Sequence, residues 1–106
     1  MKYVKIPKEI KMGGQVLSVK MVERCDNNSL GETCLGAGYI EIPDKFNKDN
    51  TQSETSKHNT FYHELVHAIL DTMAEKDLSA NEKFVSCFSG FLADAMDKAY
   101  FQEEDE

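Results

Sequence analysis

Short alternations of apolar and polar side chains dominate roughly the first 42 residues, and residues typical of turns separate them. The clearest run is Val16–Val22, which follows the turn signal Gly13-Gly14 and has the period of two expected for a half-buried strand. A further strand is predicted over Leu35–Ile42. The pattern therefore predicts a small N-terminal sheet of three strands, antiparallel or mixed.

Helical spacing replaces this alternation in the second half of the chain. Thr51–Glu54 has the order of a capping box and predicts the start of a helix over about Gln52–Ala74. Ser79–Glu82 has the same order and predicts a second helix that runs to about Tyr100. The apolar positions of the first helix are Phe61, Leu65, Val66, Ala68, Ile69, Leu70 and Met73. The apolar face of the second consists of Phe84, Phe88, Phe91, Leu92, Ala95 and Ala99.

A sheet followed by two packed helices is an α+β arrangement. With 106 residues and a mass of 12.0 kDa, the chain has the length of one small domain, which we place over residues 1–101. Residues 102–106 carry four acidic side chains and are predicted to form a solvated tail.

Nineteen acidic and twelve basic side chains give a formal net charge of −7 and a pI near 4.9. Because such a surface repels phosphate groups, nucleic acid and anionic membranes are unfavourable partners. No apolar run reaches the roughly 20 residues of a transmembrane helix, and the N-terminus lacks the apolar segment of a signal peptide, so we expect a cytoplasmic protein. Three cysteines without CxxC spacing predict free thiols, and we expect a monomer.

The residues that carry chemistry are His63-Glu64-Leu65-Val66-His67, an HExxH motif inside the first predicted helix. Histidines at i and i+4 project from one helix face, so both imidazoles can bind one Zn²⁺. Glu64 points beside the metal, where it can take a proton from zinc-bound water as a general base and deliver it to the leaving amine. Two histidines and one further protein ligand leave a fourth position for water, as catalytic zinc sites require.

Two acidic residues compete for the place of the third ligand. Glu82 lies fifteen residues after His67, and a short turn would bring the second helix back over the metal. Glu82 could instead serve only as the partner of Ser79 in the capping box. Asp71 lies one turn after His67 and would reach back awkwardly, so it is better explained as a surface charge or a neighbour of the ligands. We therefore expect Glu82 to be the ligand and His58, the remaining histidine, to be a bystander.

The segments His63–Leu70 and Ser79–Val85 resemble the small HExxH metallopeptidase-like proteins found in bacteriophage and bacterial genomes. These are minimal gluzincin-type domains akin to the ImmA/IrrE group, and the resemblance covers roughly residues 36–96. It implies that His63, His67 and Glu82 bind zinc and that Glu64 is the general base.

The same resemblance implies a sheet whose edge strand lies above the metal and holds an extended peptide by backbone pairing. Leu35–Ile42 is the candidate for that strand, which makes Gly36, Gly38 and Tyr39 candidates for substrate binding. Glycines within a strand permit a close backbone approach or, equally, a bend at a sheet corner. Tyr39 is either a group that stabilises the oxyanion or a packed tyrosine.

Peptide deformylase is a second zinc hydrolase to consider, because it binds its metal through HExxH and a cysteine from an EGCLS motif. Glu32-Thr33-Cys34-Leu35-Gly36 is loosely similar, which makes Cys34 an alternative ligand, but the central glycine and the final serine of that motif are missing. A zinc deaminase is excluded because the HxE and PCxxC motifs are absent.

A module that binds zinc only for stability is an alternative outside the enzymes, since a small domain gains folding free energy from metal binding. Glu64 is not needed to bind metal, however, and structural zinc sites use four protein ligands, often cysteines. The sequence therefore predicts a zinc metallopeptidase that acts on a peptide or protein substrate.

Overall fold

Four strands and three helices make up the structure, a computed structural model that describes residues 6–25 and 28–97. The strands are β1 (Glu9–Met12), β2 (Gln15–Arg24), β3 (Glu32–Cys34) and β4 (Tyr39–Lys45). The helices are α1 (Glu54–Thr72), α2 (Lys76–Ser79) and α3 (Glu82–Asp97). The fold is therefore α+β, as predicted, but with one strand and one short helix more than expected. The predicted tail and Ala99 lie outside the described residues.

The sheet is mixed and has the strand order β1-β2-β4-β3. β1 and β2 form an antiparallel hairpin through Gly13 and Gly14, whose φ angles of 58° and 86° suit a tight hairpin turn. β2 and β4 are parallel, and β3 pairs with β4 in the antiparallel sense. The predicted glycine turn is confirmed.

The edge of the sheet near the helices is β3, so the expectation that Leu35–Ile42 forms the edge strand is wrong. Leu35–Gly38 is a turn, and β4 begins only at Tyr39 and lies between β2 and β3. Gly38 has a φ of 78°, which favours a turn at this position. With three residues, β3 is too short to show an alternating pattern in the sequence.

Both predicted capping boxes are wrong, because each helix begins later than the pattern suggested. At α1 the N-cap is Ser53, whose hydroxyl accepts a hydrogen bond from the Ser56 N–H at 3.1 Å. Thr51 is still extended and bridges to Lys45. The backbone leaves the sheet only after Thr51, so the next hydroxyl residue becomes the cap.

At α3 the side-chain oxygen of Asn81 accepts the Phe84 N–H at 3.0 Å. Ser79, the predicted cap, is instead the last residue of α2 and is buried. Neither the Ser79 hydroxyl nor the Glu82 carboxylate is therefore needed at the start of α3, and both are available for other contacts.

All three helices follow the sheet in the chain, and α1 packs against both the sheet and α3. The main core contains Leu17, Val19, Ile40, Ile42, Phe61, Tyr62, Ala68 and Ala93. A second core between α1 and α3 contains Val66, Leu70 and Val85. Two sides of α1 are thus fixed by packing, and a third side is left for the HExxH motif.

The predicted apolar face of α3 is confirmed only in part, because Phe84 and Leu92 pack against the core whereas two other members of the face do not. Phe88 and Phe91 are 50% and 78% exposed, whereas Val85, Ser89 and Ala93 are buried. The buried residues recur every four positions and are small, which lets α3 lie close to α1. The buried side of α3 is therefore centred on these small residues, with Phe84 and Leu92 at its margin. None of the helices in the described part of the chain is long and apolar enough to cross a membrane.

Candidate metal centre

Helix α1 brings two histidines of the motif together on one face. His63 and His67 are one turn apart, and their ring centroids lie 4.9 Å from each other. Both side chains are mostly buried. The neighbouring residue Val66 packs against α3, so the helix cannot rotate without breaking the second core.

Glu82, in the first turn of α3, completes a group of three side chains that could hold a metal ion. Its Oε1 lies 3.2 Å from His63 Nε2 and its Oε2 lies 3.3 Å from His67 Nε2. The three ligand atoms all lie within 4.8 Å of one another. Zinc bonds of about 2.0–2.1 Å in a tetrahedron place neighbouring ligand atoms about 3.3 Å apart. The chemistry and spacing of this donor set fit zinc.

The turn between α1 and α3 explains why Glu82 reaches the histidines. Helix α2 reverses the chain, and Val85, about one turn after Glu82, packs with Val66 and Leu70 of α1. The Asn81 cap fixes the first turn of α3, where an acidic side chain also interacts favourably with the helix dipole. The Glu82 side chain is 66% exposed, so the group of ligands is open to solvent on this side.

Glu64 lies beside this group, beneath the edge strand. The Thr33 hydroxyl donates to Glu64 Oε1 at 2.6 Å and lies 3.1 Å from the Glu64 carbonyl oxygen. Glu64 is only 8% exposed. A hydrogen bond to one carboxylate oxygen limits rotation of the group and leaves Oε2 free to accept a proton.

Gly31 lets the strand come this close to α1. A Cβ atom at position 31 would lie 2.5 Å from Thr60 Cγ2 and 3.1 Å from Glu64 Cγ, so any side chain would push the strand or Glu64 away. Neither Gly31 nor Thr33 carries a local sequence signal for this role. Thr33 and Glu64 are 31 positions apart, and only the fold brings them together.

Ser79 also belongs to the site, although the sequence pattern predicted it to be a helix cap. Its oxygen lies 3.0 Å from His67 Nδ1, the ring nitrogen that does not face Glu82. Helix α2 places it there, twelve positions after His67. The sequence shows a hydroxyl residue in the turn that precedes Glu82, but its spacing from Glu82 indicates a capping box and gives no sign of a contact with His67.

A cavity of 980 Å³ opens between β3, α1 and α3 and is lined by the three candidate ligands and Glu64. Hydroxyl and amide side chains such as Asn59 and Thr60 line its far part. Its described lining includes the acidic residues Glu32, Glu64, Asp71 and Glu82 and no lysine or arginine. Such an arrangement attracts a cation, because four carboxylates in one cleft repel each other unless positive charge is nearby.

The other candidates for substrate binding lie apart from this cavity. Gly36 and Gly38 are in the β3–β4 turn, and none of Gly36, Gly38 and Tyr39 belongs to the described cavity lining. The Tyr39 ring lies under the Lys20 ammonium, 5.0 Å from its centroid. The nearby Glu32 carboxylate raises the pKa of Tyr39, so its hydroxyl keeps its proton.

Three weaker candidates for ligands are also placed by the structure. Asp71 lines the cavity but is not in the group of three. His58 is buried, and its Nδ1 lies 3.0 Å from the Glu54 carbonyl oxygen. Cys34 lies on β3 and is a free thiol, whereas Glu82 is grouped with the two histidines.

A second group of metal-binding side chains contains Cys25, Glu32 and Glu41. Glu32 and Glu41 are direct partners across β3 and β4, and Cys25 Sγ lies 4.0 Å from Glu41 Oε1. Burial raises the pKa of the Cys25 thiol, and the neighbouring carboxylates raise it further. Without a metal, the thiol therefore stays protonated at neutral pH.

Compared with protein-family models, curated proteins and solved structures, the chain matches none of them.

Proposed function

We propose that this chain is a zinc-dependent metallopeptidase of the minimal gluzincin type, similar to the ImmA/IrrE group, acting on a polypeptide in the cytoplasm. The observation that carries the proposal is the convergence of His63, His67 and Glu82, from two helices, beside the buried carboxylate of Glu64. Three protein ligands with an open side are the pattern of a catalytic zinc site rather than a structural one.

The two histidines and Glu82 would hold the metal, with neutral imidazoles and an ionised carboxylate as ligands. When bound, zinc supplies a Lewis acid that polarises a carbonyl and makes water more acidic. Glu64 then accepts a proton from the attacking water and delivers it to the leaving amine. The Thr33 hydroxyl supports this role because it holds Oε1 and leaves Oε2 available for the proton.

The edge strand β3 supports a polypeptide substrate. It pairs with β4 on one side and is the last strand of the described sheet, so its other side can pair with an extended chain. Residues Leu30–Thr33 line the cavity beside the ligands. A peptide added to this edge would pass the group of three ligands, and β3 takes the role first expected of Leu35–Ile42.

The test is the substitution Glu64→Gln in zinc-loaded protein. The probe is a defined library of synthetic peptides, with new termini identified by mass spectrometry. We expect one zinc per chain in both proteins, cleavage by the wild type, and at least a hundredfold slower cleavage by the variant, because a general base contributes about 10²–10⁴-fold. Equal cleavage by the two proteins, or a wild type that binds no zinc, would contradict the proposal.

A zinc-stabilised binding module is the second candidate. The observation that favours it is the hydrogen bond of Glu64 to Thr33, because a buried carboxylate held in this way also stabilises the fold. In that case the wild type takes up zinc and unfolds at a higher temperature with it, but leaves every peptide of the library intact.

A further inference from the structure

We infer that Ser79 is a positioning residue for the metal ligand His67, which it orients through a hydroxyl that can act as acceptor or donor. The inference rests on the proposed function in one respect, namely that His67 binds zinc through Nε2. It concerns the opposite side of the ring, where Ser79 Oγ lies 3.0 Å from Nδ1.

The burial of this contact makes it a fixed part of the site. Ser79 is 7% exposed, and His67 is mostly buried, so water does not readily replace the hydroxyl. Ser79 ends helix α2, and Glu82 follows three residues later in the first turn of α3. One short segment therefore provides both a ligand and the contact that orients a second ligand.

The two ring nitrogens of His67 have different partners, and the position of the ring proton decides which nitrogen donates a hydrogen bond. Nε2 faces Glu82 Oε2 at 3.3 Å, and Nδ1 faces Ser79. A neutral imidazole carries one proton, which can be on either nitrogen. In a neutral ring without metal, a proton on Nε2 would donate to the Glu82 carboxylate, and the Ser79 hydroxyl would donate to Nδ1.

Binding through Nε2 reverses these roles. The single ring proton must then be on Nδ1, where it donates to the Ser79 oxygen. No proton is gained or lost by the neutral ring, since the proton only changes nitrogen. A hydroxyl serves in both states because it rotates between donor and acceptor, whereas an ionised carboxylate at this position could only accept.

Neither helix capping nor burial alone explains the contact between Ser79 and His67. The α3 cap is Asn81, so Ser79 has no capping contact to maintain. Ser89 offers a matched control, because it is buried to a similar degree and its hydroxyl bonds a helix carbonyl at 3.3 Å instead of a ligand.

The experiment measures zinc affinity by competition with a chelating dye, in the full chain, for the wild type, Ser79→Ala, Ser79→Thr, Ser79→Val and Ser89→Ala. We expect a 10- to 100-fold loss of affinity for Ser79→Ala and Ser79→Val, because partners that orient a ligand contribute about this much. Ser79→Thr keeps the hydroxyl and should stay close to the wild type, as should Ser89→Ala.

A second readout distinguishes orientation of the ligand from mere packing. In the zinc-loaded protein, the Nδ1 proton of His67 should be protected from exchange with water in NMR spectra of the wild type and of Ser79→Thr. It should exchange at least tenfold faster in Ser79→Ala, since its acceptor is missing.

The outcomes separate this inference from the proposed function. If the wild type binds zinc and Ser79→Ala binds it equally well, the inference fails and the proposed function stands. An affinity loss common to all three Ser79 variants, with no change in proton exchange, also overturns it, because packing then explains the loss. A wild type that binds no zinc overturns both.

Discussion

Helix α1 and the two segments that face it, residues 30–34 and 79–82, contribute to one centre in different ways. The helix supplies His63 and His67, whose spacing brings them together in any regular helix, and Glu64 beside them. The facing segments supply Glu82 and the contacts that hold Glu64 and His67. Helix spacing therefore brings the two candidate ligands of α1 together, whereas tertiary packing adds the third and holds the group in place.

The two regions also differ in what maintains them. One side of α1 is packed in the main core and another against α3, so its position follows from apolar burial. β3 is three residues long and α2 is four, and neither is stable as an isolated element. Their placement depends on a few specific contacts, which single substitutions can remove.

The largest effect is expected in α1, from His67→Ala. Zinc affinity should fall roughly 100- to 1,000-fold, because one of four ligands carries about 3–4 kcal/mol of a binding free energy of about 10–16 kcal/mol. The rise in melting temperature that zinc causes in the wild type should disappear at low zinc concentration. Calorimetric titration and thermal unfolding measure both.

His58→Gln is the control for this prediction, because His58 lies on the same helix but outside the group of ligands. Its zinc affinity should equal that of the wild type, even where burial of the residue makes the fold less stable. An equal loss of affinity in both variants would mean that helix stability, rather than ligation, controls zinc binding.

Gly31→Ala should have the next largest effect, at a position beside the motif rather than in it. The added methyl group would lie 2.5 Å from Thr60 Cγ2, so the free energy of unfolding should fall by about 2–3 kcal/mol. Gly36→Ala is the matched control, since a Cβ there has no neighbour within 4 Å and the effect should stay within about 0.5 kcal/mol. Urea unfolding distinguishes the two, and similar values would show that the close approach of β3 is not required.

The features that the sequence predicts lie mainly in α1, and those that it does not predict lie mainly in the facing segments. The α+β class, the position of α1 and the candidate ligands could be predicted, because they depend on spacing over a few residues or on one short turn. β3 was missed because three residues show no period. The buried face of α3 was predicted only in part, because the helix carries more apolar side chains than the core takes up, and Phe88 and Phe91 are left exposed.

The contacts of Thr33 and Ser79 could not be predicted for a further reason. A hydroxyl can cap a helix, face solvent or bind a carboxylate, and the choice depends on what the fold places opposite it. The spacing of Ser79 and Glu82 predicts a capping box, but α2 continues to Ser79, and Asn81 caps α3 instead.

Thr33→Val tests the contact between the edge strand and Glu64. Valine favours strands as much as threonine does, so without the hydrogen bond the substitution would be neutral or stabilising. We expect instead a loss of about 1.5 kcal/mol in the free energy of unfolding, the contribution of a hydrogen bond to a charged group. Thr33→Ser should recover most of this loss.

A double-mutant cycle with Glu64→Gln assigns this free energy to the pair of residues. The measured coupling should be at least about 0.5 kcal/mol, as for residues in direct contact. Additive effects of the two substitutions would show that Thr33 acts on the strand alone.

Asn81→Ala should have the smallest effect and the most specific one. Loss of an N-cap costs about 1 kcal/mol of stability, and Ser53→Ala should cost the same at the start of α1. The two variants should differ in zinc affinity, however, because Glu82 lies directly after one cap, whereas the other precedes His63 by ten positions. If fraying displaces Glu82, Asn81→Ala weakens zinc binding by up to about fivefold, the equivalent of 1 kcal/mol, and Ser53→Ala leaves it unchanged.

Asn81→Asp, which keeps a capping oxygen, should restore both stability and affinity. Equal zinc affinity in the two alanine variants would mean that packing of Val85 alone places Glu82. Apolar burial would then fix the position of the segment 79–82, as it fixes the position of α1.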